Sequence, residues 1–145
     1  MKGNSKVGQI LWLKVKYQSD KIANIKHPML IAKIENDYIE IIVIDKTAGK
    51  MHQLYRSCNH YINSQNPCEF VIYEDSYAQL NTKLTIEKFP KLVEFRKTSE
   101  CLSSKKLQEL LKHYEEYQNK NILDEARIVH MSKSELLEIN LNEAL

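Results

Sequence analysis

The sequence predicts a mainly β fold, a small antiparallel barrel-like sheet with a C-terminal amphipathic α-helix appended. Three observations carry this expectation. Short apolar runs recur through residues 10–95, some alternating with polar residues and some continuous, as in strands with one or both faces buried. Turn formers such as Asn36-Asp37 and Pro90 punctuate those runs. Beyond residue 102 the period changes: Leu107, Leu110, Leu111, Tyr114 and Tyr117 recur every three or four residues, the stripe of a helix with one apolar face. Strands and helices do not alternate, which argues against a doubly wound parallel sheet.

Residues 10–17 set Leu11, Leu13, Val15 and Tyr17 on one face, with Ile10, Trp12, Lys14 and Lys16 on the other. Trp12 and Tyr17 read as core residues rather than as platforms for a stacked base. Residues 18–27 are polar and form a long loop. Pro28 biases His27 toward an extended conformation and opens a second strand over 29–35. Asn36-Asp37 between two apolar runs is a two-residue hairpin signal, because both residues tolerate positive φ. The third strand, 38–44, is too rich in isoleucine to alternate, so both of its faces are expected to be buried. Residues 51–55 read as a short strand, 56–67 as a second long loop, and 69–73, 83–89 and 92–95 as further strands. Ser103 or Ser104 caps the helix. Residues 119–130 give no clear pattern, and Ser132-x-x-Glu135 is a capping box that opens a second short helix.

At 145 residues, with 43% apolar and 28% charged side chains, the chain is long enough for one domain with a packed core. The expected organisation is a barrel with its closing helix over 1–118 and a C-terminal extension, helical in part, over 119–145. The net charge is only +2, yet residues 1–56 carry ten Lys/Arg against five Asp/Glu, which suits a polyanionic partner. The opening residues do not resemble a secretory signal, and no apolar stretch reaches the ~18 residues of a membrane span. Three cysteines without a CxxC pair fit free thiols in a reducing cytoplasm. Cys58, His60 and Cys68 make at most a partial zinc site, because four ligands in paired spacings are needed and no second pair exists, so neither a metal nor another cofactor is expected. There is no GxGxxG and no P-loop. His60, His113 and His130 have no supporting context in the sequence.

The stretch richest in chemistry is 43–50, Val-Ile-Asp-Lys-Thr-Ala-Gly-Lys. An apolar strand ends there in a loop holding Thr47, two lysines and Gly49, with His27 before the preceding strands and His52 just beyond. Hydroxyl, ammonium and imidazole groups at one sheet edge are the parts needed to hold and cleave a phosphodiester.

The order of parts resembles the MazF/PemK family of toxin ribonucleases. Gly8-Gln9-Ile10-Leu11-Trp12-Leu13 is similar to that family's opening Gly-Asp-Ile-x-Trp/Tyr strand. Lys26-His27-Pro28-Met29-Leu30-Ile31 stands where an Arg-Pro dipeptide opens the next strand, and Ile44-Asp45-Lys46-Thr47-Ala48 stands at the catalytic Thr-Ser or Thr-Ala pair. Leu80-Asn81-Thr82-Lys83-Leu84-Thr85 loosely resembles a later Leu-x-x-Ser-x-Val strand, and Leu102-Ser103 precedes the closing helix. The likeness spans roughly residues 7–118. His27 replaces the family's catalytic arginine, and the long loop lacks its Gly-x-Glu-Gln-x-Gly segment. The related ToxN-like type III toxins also place a threonine and a lysine after the third strand.

The resemblance implies an SH3-like barrel that pairs as a homodimer, cleaves single-stranded RNA without metal, and is held in check by a cognate antitoxin. His27 and Thr47 are then the catalytic candidates, and Lys26, Lys46, Lys50 and His52 the substrate-binding ones. Two other readings stay open. One is a non-catalytic barrel of the same fold that binds nucleic acid or protein, and the other an interaction protein that uses its acidic second half.

Overall fold

The computed structural model describes residues 5–18, 21–22, 26–46, 58–62, 76–120 and 123–141. The strands among them are β1 (Gln9–Leu13), β2 (Lys16–Gln18), β3 (Lys21–Ile22), β4 (His27–Ile34), β5 (Tyr38–Lys46), β6 (Asn59–Ile62), β7 (Ser76–Gln79), β8 (Lys83–Glu87), β9 (Arg96–Cys101) and β10 (Ile128–Met131). The described residues also form α1 (Ser104–Asn119), between β9 and β10, and α2 (Lys133–Leu141), after β10, with short 3-10 helices at Pro90–Phe95 and Glu125–Arg127. The chain is mainly antiparallel β with appended helices, as its periodicity predicts. Eight strands form one sheet along the path β10-β8-β5-β4-β1-β9, with β7 also paired to β5, and β6 to β7. Among the described residues β9 and β10 are not joined, so the path is open where a closed barrel was expected. The pairing of β10 with β8 is parallel; the other pairs are antiparallel.

Strand β5 organises the sheet. Its first half pairs with β8 and its last three residues with β7, while its other edge pairs with β4. Alternation along β5 sends Ile39, Ile41 and Val43 into one core, and Ile42 and Ile44 into the other. The predicted burial of both faces is therefore met, and each face has its own cover. On the first face, Leu11, Leu13, Met29 and Ile31 pack with Leu92 and with Leu136 of α2. On the second, Ile10, Leu30 and Ala78 lie beneath Leu110 and Tyr114 of α1. Leu107, Leu111 and Tyr117 pack at the margin of that core, so the predicted helical stripe is the buried one.

Glu40 is the carboxylate of the second core, only 4% exposed, and Tyr114 Oη donates to its Oε1 at 2.9 Å. Burial, together with the Glu40 charge, pushes the Tyr114 hydroxyl far above the ordinary phenol range, so it stays a donor. A hydrogen bond to a charged group stabilises by about 1.5–3 kcal/mol, and it pins α1 to the first half of β5.

Gly8 enters β1 with φ 95°, a conformation that costs non-glycine residues about 1–3 kcal/mol. There its N–H reaches Ile31 O and its carbonyl receives Leu102 N. The glycine thus ties β1 to β4 and to the segment leading into α1.

Several expectations are corrected. Residues 92–95 lie in a 3-10 helix because Pro90 starts it, with its fixed φ and absent N–H tolerated in a first turn. The loop expected over 56–67 contains β6, and 119–130 ends in β10. Trp12, expected in the core, is 41% exposed. The strands expected at 51–55 and 69–73 lie outside the described residues, as does the side chain of Tyr17.

The C-terminal segment completes the first core with Val129, Met131 and Leu136. The capping box forms as predicted: Glu135 N–H donates to Ser132 Oγ at 3.1 Å, and Ser132 N–H to Glu135 Oε1 at 3.2 Å. Lys16 Nζ adds an ion pair to the other carboxylate oxygen at 2.6 Å. Asn140 then clamps the backbone after β1, accepting from Lys14 N–H at 2.7 Å and donating to Lys14 O at 2.9 Å. No helix among the described residues is long and apolar enough to cross a membrane.

Candidate functional site

The residues singled out in the sequence gather, where described, at one end of the sheet. Leu13 of β1 pairs with His27 at the start of β4, and β4 runs beside β5 with Met29 opposite Val43. Continuing that register by two residues sets His27 beside Asp45. On β5's other side Asp45 pairs with Tyr77, and Tyr77 pairs with Tyr61. A row therefore crosses five strands at this end, Leu13, His27, Asp45, Tyr77 and Tyr61, on the face of the first core. Tyr77 is buried and donates through Oη to Asp45 Oδ2 at 3.4 Å, whereas Tyr61 is exposed. Half-buried His27 thus sits in line with a carboxylate that a buried tyrosine holds.

Lys26 immediately precedes β4 and is half-buried. Lys46 is the last residue of β5 and pairs with Ser76. Thr47 follows Lys46 directly but lies outside the described residues, as do Lys50 and His52. Antiparallel pairing of β4 with β5 brings the start of β4, with Lys26 and His27, to the end of the sheet where β5 leaves toward Thr47.

A second constellation was not legible in the sequence. His60 on β6 and His113 on α1 face each other with Nδ1 to Nδ1 at 3.1 Å. Their rings meet edge-on at 5.3 Å between centroids, and Tyr117 lies 5.5 Å beyond His113. One imidazole donates its Nδ1–H and the other accepts, so at least one is neutral. Burial, reinforced by the His113 imidazole and opposed by Glu109, holds the His60 pKa below its ordinary value. The one sequence signal was the position of His113, three residues after Leu110 and four before Tyr117 on the margin of the helix stripe.

This pair has a consequence for stability. The unfolded chain binds the His60 proton more readily than the folded one, so its contribution is fully present above about pH 6.5 and is lost as pH falls below it. Glu135, whose pKa is lowered chiefly by its hydrogen bond with Lys16, acts in a separate window, its contribution lost below about pH 4.5. Melting temperature is therefore expected to drop between pH 7 and 5, and the drop to shrink in His60→Phe. An equal drop in both proteins would mean that the histidine pair does not set the acid response.

Among the described residues no group of three or more His, Cys, Asp or Glu could hold a metal ion, and Cys58 is a free thiol. A cavity of about 560 Å³ opens at the opposite end of the sheet, lined by Ile34, Ile39, Lys88, Phe89, Leu92 and Val93 among others. It lies roughly 20 Å along β4 from His27 and belongs to the first core rather than to the Thr47 end. The chain matches no protein-family model, no curated protein and no solved structure.

Proposed function

We propose that this chain is a metal-independent endoribonuclease of the MazF/PemK type, a toxin that cleaves single-stranded RNA in the cytoplasm and is restrained by a cognate antitoxin. The observation that supports this reading is the antiparallel β4–β5 pairing, which brings the start of β4, where His27 stands, to the end of β5 that carries Asp45 and leads into Thr47. In the proposed reaction the ribose 2′-oxygen attacks phosphorus while the bond from phosphorus to the 5′-oxygen breaks. His27 takes the proton from the 2′-hydroxyl or delivers one to the departing 5′-oxygen, with His52 as the second imidazole. Thr47 donates a hydrogen bond to a non-bridging oxygen, and Lys26, Lys46 and Lys50 balance the charge that develops there. Two copies of the chain pair, and the antitoxin competes for the groove between them.

Purified protein is expected to cleave single-stranded RNA in EDTA, leaving a 2′,3′-cyclic phosphate and a 5′-hydroxyl. Activity that disappears with chelator and returns with magnesium would sink the mechanism. The exposure of Trp12 favours a second reading, a barrel of the same kind that binds nucleic acid without cutting it. Growth arrest on expression that Thr47→Ala relieves separates the two.

A further inference from the structure

The cavity at the end of the sheet away from His27 has no part in the cleavage chemistry. It holds about 560 Å³, inside the range of about 300–1,000 Å³ usual for small-molecule pockets, whereas a well-packed core keeps few voids larger than a water molecule. Its walls are tied together by the backbone. Ile34 pairs with Ile39 on either side of the Asn36-Asp37 turn, and Lys88 N–H donates to Asp37 O at 2.9 Å, which fastens the end of β8 to that turn. Pro90 then starts the 3-10 helix that brings Leu92 and Val93 to the lining. Phe89 also lines the cavity, and Lys133 Nζ lies 5.6 Å from its ring centroid, a cation–π contact that helps to hold the ring in place.

Among the described residues that line the cavity, Lys88 alone is charged, and Ser5 adds a hydroxyl. Lys88 Nζ donates to Glu35 O at 3.0 Å. An ammonium has three N–H donors, so this bond leaves two for a ligand. The Glu35 carboxylate is paired with Lys33 at 3.1 Å, which lessens its competition for Lys88. Water against such apolar walls finds few hydrogen-bond partners, and an apolar ligand body that displaces it is favoured. A carboxylate on that body meets the ammonium in a charge-assisted hydrogen bond. A neutral apolar molecule would leave the ammonium unanswered, and a polyanion would leave the apolar walls bare. We propose that this cavity binds a small monocarboxylate with an apolar body, its chain against Ile34, Ile39, Phe89 and Leu92 and its carboxylate on Lys88. The site is independent of the nuclease reading.

The test uses the full chain with decanoate, kept below its micellar concentration, and with 1-decanol as the uncharged match. Titration calorimetry should give one decanoate per chain with Kd between about 10 µM and 1 mM, as suits a ligand of this size. Amide chemical shifts should move at residues 34–39 and 88–93 and stay in place at the start of β4. Lys88→Met should weaken decanoate about 3- to 10-fold, the low end for a charge-assisted bond because Lys88 is exposed, and leave decanol unchanged. Val93→Trp, which fills the cavity from a half-buried wall position, should abolish binding of both. Decanol binding as tightly as decanoate, or decanoate indifferent to Lys88→Met, would overturn the carboxylate assignment and the proposal with it. Binding that survives Val93→Trp in a variant with a native circular dichroism spectrum would put the ligand elsewhere and overturn it too. Should that variant fail to fold, the shift map decides alone, and shifts outside the two segments would have the same force. No response to decanoate at millimolar concentration would end the proposal outright.

Discussion

Replacing His27 with glutamine is expected to lower RNA cleavage by about 10²–10⁴-fold, the range for losing a positioned acid or base. Glutamine keeps the polarity and much of the volume at the start of β4 but cannot exchange a proton, so folding should be preserved while the chemistry fails. The structural ground is local. His27 is fixed by its pairing with Leu13, and β5 next to it carries Asp45, which accepts from buried Tyr77. An imidazole acting as acid or base also makes the rate depend on pH, and that dependence should vanish in the glutamine variant. Arginine at this position separates two roles. It grips phosphate with two parallel hydrogen bonds and stays charged. If His27 serves only as a cation, His27→Arg should match or exceed the parent; if it moves a proton, His27→Arg should be as slow as His27→Gln. A flat pH profile with a fully active His27→Gln would remove His27 from the mechanism and leave Thr47 with the lysines. If Thr47→Ala were then silent as well, the non-catalytic barrel would be the better account.

How far this end of the sheet could be foreseen turns on one residue. The Asn36-Asp37 turn fixes Ile34 opposite Ile39, and counting outward from it in strict register sets His27 opposite Lys46. The actual pairing carries a bulge between Ile31 and Lys33, so that Met29 lies opposite Val43 rather than Ile44, and the same shift carried on to His27 would set it opposite Asp45. A shift of one residue exchanges the two faces of a strand. The meeting of His27 with the end of β5 was therefore legible, and the face on which it happens was not. Strong local patterns translated well: the isoleucines of β5, the α1 stripe and the Ser132–Glu135 box are each set by periodicity or by contacts three residues apart. What escaped depends on distant partners. His60 and His113 lie 53 positions apart, and the short strand β6 gains its place by pairing with β7 and packing Ile62 into the second core. Trp12 fits the apolar pattern of β1, and nothing in that pattern marks it as the partly exposed member.

Removing residues 119–145 is expected to unfold the protein, although the sequence alone makes 1–118 look self-contained. The segment supplies β10, which covers the edge of β8 through four residue pairs, and α2, which lies over the first core. Met131 is 1% exposed and Leu136 fully buried. Burying each such side chain stabilises by about 1.5–3 kcal/mol, against a total stability of about 5–15 kcal/mol for a typical domain. Val129 and Ile139 add to that loss, and the apolar residues of β1, β4 and β8 beneath them would be bared to water. Asn140 adds a polar reason, since without it the N–H and carbonyl of Lys14 lose both of their bonds to that side chain. Graded variants keep the test quantitative where the truncation merely aggregates. Leu136→Ala should cost about 2–5 kcal/mol as a core truncation, and Asn140→Ala about 1–3 kcal/mol through the unpaired backbone groups it leaves. Urea denaturation of the intact chain reads both. A soluble 1–118 fragment with a cooperative melt within a few degrees of the parent would show that the first core closes without α2, and near-zero effects in both point variants would show the same.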